Sequence, residues 1–135
     1  MDNPGSFTLG DFQIGAASQQ NGKPVCNLQG MTAASLQVRL SSAAGGTSIN
    51  VFILTTLDQG QSWFDVACVQ FTTTPGVQVL NLSALDKAAP SSPTNLALTP
   101  GTILDGPLGD SLQAIVVSEG TYTGAPLVSV RGIAR

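Results

Sequence analysis

The chain has 135 residues and a net charge of −3, with charged residues at 10% and apolar residues at 42%. That is enough chain for one domain with its own core, without metal or disulfide staples. Its cations, Lys23, Arg39, Lys87, Arg131 and Arg135, are too few and too dispersed to neutralise a phosphate backbone, which speaks against nucleic-acid binding. No apolar run approaches the ~18 residues of a membrane-spanning helix. The opening MDNPGSFTLGDF lacks the basic and apolar regions of a secretory signal, so the chain reads as made and folded in a cytoplasm. Charge well below the ~25% of ordinary soluble proteins weakens the repulsion that keeps copies apart, and points to a surface covered by partners.

Along the chain the dominant period is two. Met1–Ser6 reads as a flexible arm. Phe7–Ile14 reads as a strand whose inward face switches at Gly10, the mark of a bulge. Val25–Leu28 is a shorter strand, and Ser35–Ser41 alternates strictly with Leu36, Val38 and Leu40 inward. Residues 43–46 turn the chain into Ile49–Thr55, apolar almost throughout, as a central strand covered on both faces would be. From Trp63 to Phe71 alternation returns, with Trp63, Asp65, Ala67, Val69 and Phe71 assigned to one face.

Thr74-Pro75-Gly76 turns into Val77–Leu82. Residues 83–101 then form a long Pro-rich connection with a helical turn expected at Ser83–Lys87. Loops of that length in compact domains are usually functional or touch a neighbour. Ser111–Val117 and Leu127–Ala134 complete the set, joined by a Gly-rich hairpin at 119–126. Short strands, frequent turn signals and no convincing helix predict a single all-β domain over 1–135, an antiparallel sandwich of about eight strands. Greek-key wrapping of a jelly-roll kind suits the 83–101 crossing.

Cys26 and Cys68 stand in apolar, strand-like contexts and read as buried free thiols, with a disulfide left open by spacing alone. No histidine is present, which removes Ser-His-Asp and Cys-His nucleophile systems and makes a zinc site untenable. Asp58, Asp65, Asp105, Asp110 and Glu119 are the acids from which paired-carboxylate chemistry would have to be built. Most of them stand beside glycine in turns, where Asx hydrogen bonding explains them better.

Two segments stand out. Thr56-Leu57-Asp58-Gln59-Gly60-Gln61-Ser62-Trp63 has an acceptor, Asp58, for the N–H groups of a turn. Gly60 allows a positive φ, Ser62 a second local bond, and Trp63 packs beneath. The pattern resembles the Asp-box, a hairpin motif of sialidases and other β-rich proteins, where it serves as a folding element. Sialidase chemistry itself would need several blades of ~40–45 residues each, which this chain cannot supply. In Leu104–Asp110, Asp105-Gly106 and Gly109-Asp110 bracket a turn. Its alternative reading is a calcium site, although Ca²⁺ wants six or more oxygens.

Taken together, TLDQGQSWFDVACVQF, ILDGPLGDSLQAIVV and GTYTGAPLVSVRGIAR resemble a family of small tailed-bacteriophage virion proteins over roughly residues 35–135. Gln113 stands where that family has an arginine. The resemblance implies a non-enzymatic cement or decoration protein without cofactors, bound outside the capsid in the virion and assembled in the host cytoplasm. Its partners would be the major capsid protein and other copies of itself, as dimer or trimer. Candidate partner contacts are then Asp2, Asn3 and Pro4 on the arm, Pro90 and Pro93 on the long loop, and Tyr122 on the last hairpin. A carbohydrate-binding sandwich and a neck or tail adaptor are the alternatives.

Overall fold

Alternation with a period of two sends every second side chain to one face of a strand, and here that face is turned inward between two sheets. The computed structural model describes residues 3–42, 45–85 and 90–135. Its strands are β1 (Gly5–Gln13), β2 (Ser18–Asn21), β3 (Ala33–Leu40), β4 (Ser48–Thr56), β5 (Phe64–Phe71), β6 (Gly76–Ser83), β7 (Ser111–Glu119) and β8 (Leu127–Ala134). They form two antiparallel sheets of four, β1-β8-β3-β6 and β2-β7-β4-β5, and no helix occurs among the described residues. The chain is an antiparallel β-sandwich.

The pairings β1–β8, β2–β7, β3–β6 and β4–β5 describe a chain folded back once on itself, with residues 57–63 at the bend. Two further pairings, β3–β8 and β4–β7, wrap this ribbon into facing sheets. Leu36, Val38 and Leu40 of β3 lie between the sheets as their alternation predicts, in one core with Val51, Ile53 and Leu112. β4 is buried along nearly its whole length because both faces are covered. Ile49, Val51 and Ile53 belong to the inter-sheet core, while Phe52 and Leu54 belong to a second cluster on the outer face. The expected bulge in β1 is present: pairing to β8 shifts between Thr8 and Gly10.

Several expectations need correction. Gly5 and Ser6 are not part of an arm; they pair with Ala134 and Ile133, so only Asn3 and Pro4 of the described residues precede the sheet. Val25–Leu28 is not a strand. Val25 makes one bridge to Leu112, and Asn27 then takes a left-handed φ of 62°, which ends the extended run. The second strand is instead Ser18–Asn21, four polar residues paired with β7. On β5 the single face assigned to Trp63, Asp65, Ala67, Val69 and Phe71 is split. The pairing with β4 skips a residue between Ala67 and Asp65, and one extra residue reverses the alternation. Ala67, Val69 and Phe71 therefore enter the main core, whereas Trp63 joins the outer cluster. The helical turn expected at Ser83–Lys87 lies partly outside the described residues, and Ser83 itself ends β6.

One end of the sandwich is closed by Tyr122, whose side chain is 4% exposed. Its N–H donates to the Gly15 carbonyl, its hydroxyl donates to the Thr72 carbonyl, and its ring fills the space beside Gly46. Tyr122 is thus a plug joining three loops rather than an exposed contact. We predict that Tyr122→Phe, losing only the hydroxyl bond, costs about 1 kcal/mol, and that Tyr122→Ala costs about 3–5 kcal/mol. Urea unfolding would read both values.

Candidate functional site

The bend of the ribbon is built from its own side chains. Asp58 accepts from the Ser62 N–H at 2.8 Å and the Ser62 hydroxyl at 2.6 Å, one on each carboxylate oxygen. The Thr56 hydroxyl donates to Asp58 Oδ1 at 2.9 Å and accepts from the Gly60 N–H at 3.0 Å. Gln59 and Gly60 both take positive φ, 62° and 91°, which the tight bend requires. The Ser62 hydroxyl, with its N–H and then Thr56, holds the Asp58 carboxyl below its ordinary 3.8, at about 2. Trp63 is half-buried against the outer cluster of Phe52, Leu54, Cys68 and Ile115. Each of the five motif residues, Thr56, Asp58, Gly60, Ser62 and Trp63, therefore acts within the turn or in packing beside it.

The second motif meets the first. The Gly109 N–H donates to Thr55 Oγ1 at 2.9 Å, and the Asp110 N–H donates to the Thr56 carbonyl at 3.3 Å. Gly109 is dictated by this approach, since a Cβ there would lie 1.8 Å from the Thr56 carbonyl oxygen. Asp105 fastens the other end of the turn. Its Oδ1 accepts from the N–H of Gly106 at 3.0 Å and from that of Ser83, the last residue of β6, at 2.8 Å. The Asp110 carbonyl accepts from Leu28, while its buried Oδ1 has no hydrogen-bond partner among the described residues. Among the described residues no three His, Cys, Asp or Glu side chains converge as a metal site would need.

Asp65, one of the possible acids in the sequence, accepts four hydrogen bonds. It is 1% exposed. Its Oδ1 accepts from the Leu96 N–H at 2.8 Å. Its Oδ2 accepts from the Thr94 hydroxyl at 2.9 Å, the Ala97 N–H at 2.9 Å and the Leu98 N–H at 3.0 Å. The Asp65 N–H in turn donates to the Thr94 carbonyl, and the Asn95 amide donates to the Trp63 carbonyl. A buried carboxylate is costly unless its lone pairs are filled, and here four donors fill them. Their effect is to fold residues 94–98 over the second sheet, so that Leu96 and Leu98 cover the outer cluster. The same connection then runs along the free edge of β5: Gly101, Thr102 and Leu104 exchange backbone bonds with Cys68 and Val66. The signal available in the sequence was an acid between Phe64 and Val66 within an apolar strand.

Neither cysteine forms a disulfide, and Cys26 is exposed rather than buried as expected, while Cys68 is buried. Burial, with the nearby Asp65 charge, pushes the Cys68 thiol up to about 11, which keeps it protonated and unreactive. Of the candidate contacts, Asn3, Pro4, Pro90 and Pro93 are exposed, Tyr122 is buried, and Asp2 lies outside the described residues.

No protein-family model matches the chain, and no curated protein matches it either. The geometry alone therefore carries the functional reading. A groove of about 500 Å³ lies on the outer face of the first sheet, lined by Ser35, Gln37, Asn81 and Arg131 with the apolar Val79 and Ile133. Arg131 is anchored there by a two-pronged pair with Asp11 at 2.9 and 3.0 Å.

Two outcomes follow. Asp65→Ala should cost at least about 3 kcal/mol, because it strands three backbone N–H groups under a loop; thermal unfolding measures it. Asp58 has a depressed folded pKa, so its contribution is present above the unfolded value near ~3.9 and is lost as pH falls through about 2. Melting temperature should therefore drop more steeply between about pH 4 and pH 2 in the wild type than in Asp58→Asn.

Proposed function

We propose that this chain is a structural virion protein of the cement or decoration type, which binds the outer capsid lattice of a tailed phage and bridges neighbouring subunits. We read the wrapped ribbon of eight strands as a jelly roll. The observation that carries the proposal is the long 83–101 connection. Asp65 pins its 94–98 portion to the sheet, while Pro90, Ser91, Ser92 and Pro93 stand exposed and uncharged beside it. A segment whose neighbouring residues are already pinned loses less entropy on binding, and low charge suits it to burial against another protein. Copies associate as dimers or trimers, and many modest joints across a lattice add through multivalency. The carboxylates of the marked segments serve as internal fasteners, so the role is mechanical and no catalytic residue is assigned.

The groove supports a second reading, carbohydrate binding, since its hydroxyl, amide and guanidinium groups suit polyols; uniformly negative glycan arrays would remove it. A neck or tail adaptor shares the same fold and context, and the position of the chain in the particle separates it from cement.

Particles assembled without the chain should lose infectivity at lower temperature than complete ones, and added protein should restore them. A Pro93→Asp chain should fold normally yet fail to restore. Equal heat resistance with and without the chain would contradict cementing.

A further inference from the structure

The ends of the two sheets are not treated alike. β5 is covered along its edge by residues 101–104. β1 carries a bulge and the charged pair Asp11–Arg131, and beside it Gly22 approaches the Leu9 carbonyl closely enough that a Cβ would sit 2.5 Å away. β2 is four residues long. Those are the usual devices that stop one sheet edge from pairing with another: covering, bulging, charging and shortening.

β6 has them only at its last residue, where the Ser83 N–H donates to Asp105. Gly76-Val77-Gln78-Val79-Leu80-Asn81-Leu82-Ser83 is eight residues without a charge or a proline, and its register against β3 is unbroken. Among the described residues, the backbone of Gly76–Leu82 bonds only to β3, so one row of N–H and C=O groups faces outward. Val77 and Val79 are 54% and 74% exposed on the outer face, and Leu85, just past the strand, is 76% exposed. A row of unpaired backbone groups is complementary to one thing above all, another strand.

We infer that β6 pairs antiparallel with β6 of a second copy across a two-fold axis, joining the two first sheets into one sheet of eight strands. The occupant follows from the composition of the edge. An isologous contact sets a patch against itself, which like charges would oppose; Gly76–Leu82 carries no charge, and its valines meet valines and amides. The same symmetry lays the Leu85 end of each strand beside the Thr73–Gly76 end of the other, so the exposed leucine is covered as well. The edge alone falls short of the ~800 Å² per partner of a standard interface, and these flanks extend it. The two outer grooves, each with Val79 at its β6 side, then lie next to each other on one continuous face. This interface deepens the self-association in the functional proposal and rests on that part alone. Capsid binding is read separately on particles, so either can fail without the other.

The test is sedimentation of the full chain at micromolar concentration. The wild type should be a dimer, and Val79→Lys and Val79→Glu should each associate at least about tenfold more weakly, with unchanged melting of the isolated fold. Mixing the two variants should restore dimers, because opposite charges then face each other near the axis. Ile133→Lys, on the same outer face but on the interior strand β8, should dimerise like the wild type. A monomeric wild type would overturn the inference and leave the edge to a strand from another protein. Loss of dimer in Ile133→Lys, or no rescue on mixing, would overturn it in favour of face-to-face stacking or another contact.

Discussion

The carboxylate of Asp65 is the constraint on which the rest of the molecule depends. It sits on the outer face of the second sheet, where an unpaired charge would be expensive, and it takes four hydrogen bonds from residues 94–98. In doing so it folds residues 94–98 over the second sheet. Phe52, Leu54, Cys68 and Ile115 would otherwise be an apolar patch on the surface, and Leu96 and Leu98 cover them. The connection can then continue along β5 and close that edge. One buried acid thus fixes a loop, a cluster and a sheet edge.

The bend at 57–63 has a complementary role. It lies where the ribbon turns back, and Thr55 and Thr56 connect it to the Gly109–Asp110 turn that starts β7. The two sequence motifs that looked like separate candidates for chemistry are parts of one fastening. β4, the most buried strand, runs into it from one side, and β7 leaves it on the other. Asp105 ties the same turn back to the end of β6. Carboxylates placed in this way hold chain crossings together, and they leave the outward surfaces to loops and to an uncharged edge.

Much of this was legible in the sequence because period-two patterns are local. β3, β4, β6, β7 and β8 follow directly from alternation or from an apolar run, and Gly10 marks its own bulge. The hairpin was legible because its residues bond to one another within seven positions. What could not be seen depended on distant pairing. Ser18–Asn21 has no apolar face and is a strand only because β7 offers it an edge. The bulge on β5 has no glycine to announce it, so Trp63 and Asp65 were placed on the wrong side of their strand's alternation. Tyr122 looked like an exposed tip because its partners, Gly15, Gly46 and Thr72, come from three other loops. Asp65 was visible as an acid in an apolar strand, but its donors lie about thirty residues further along the chain.

If Asp65 organises the crossing as described, the amides it receives should behave as part of the folded core. Native-state hydrogen exchange on the wild-type chain reads this directly. The N–H groups of Leu96, Ala97 and Leu98 should exchange orders of magnitude more slowly than those of Ser91 and Ser92 in the same connection, and open only with the strands beneath them. Exchange of all three at the rate of a free loop would contradict the account.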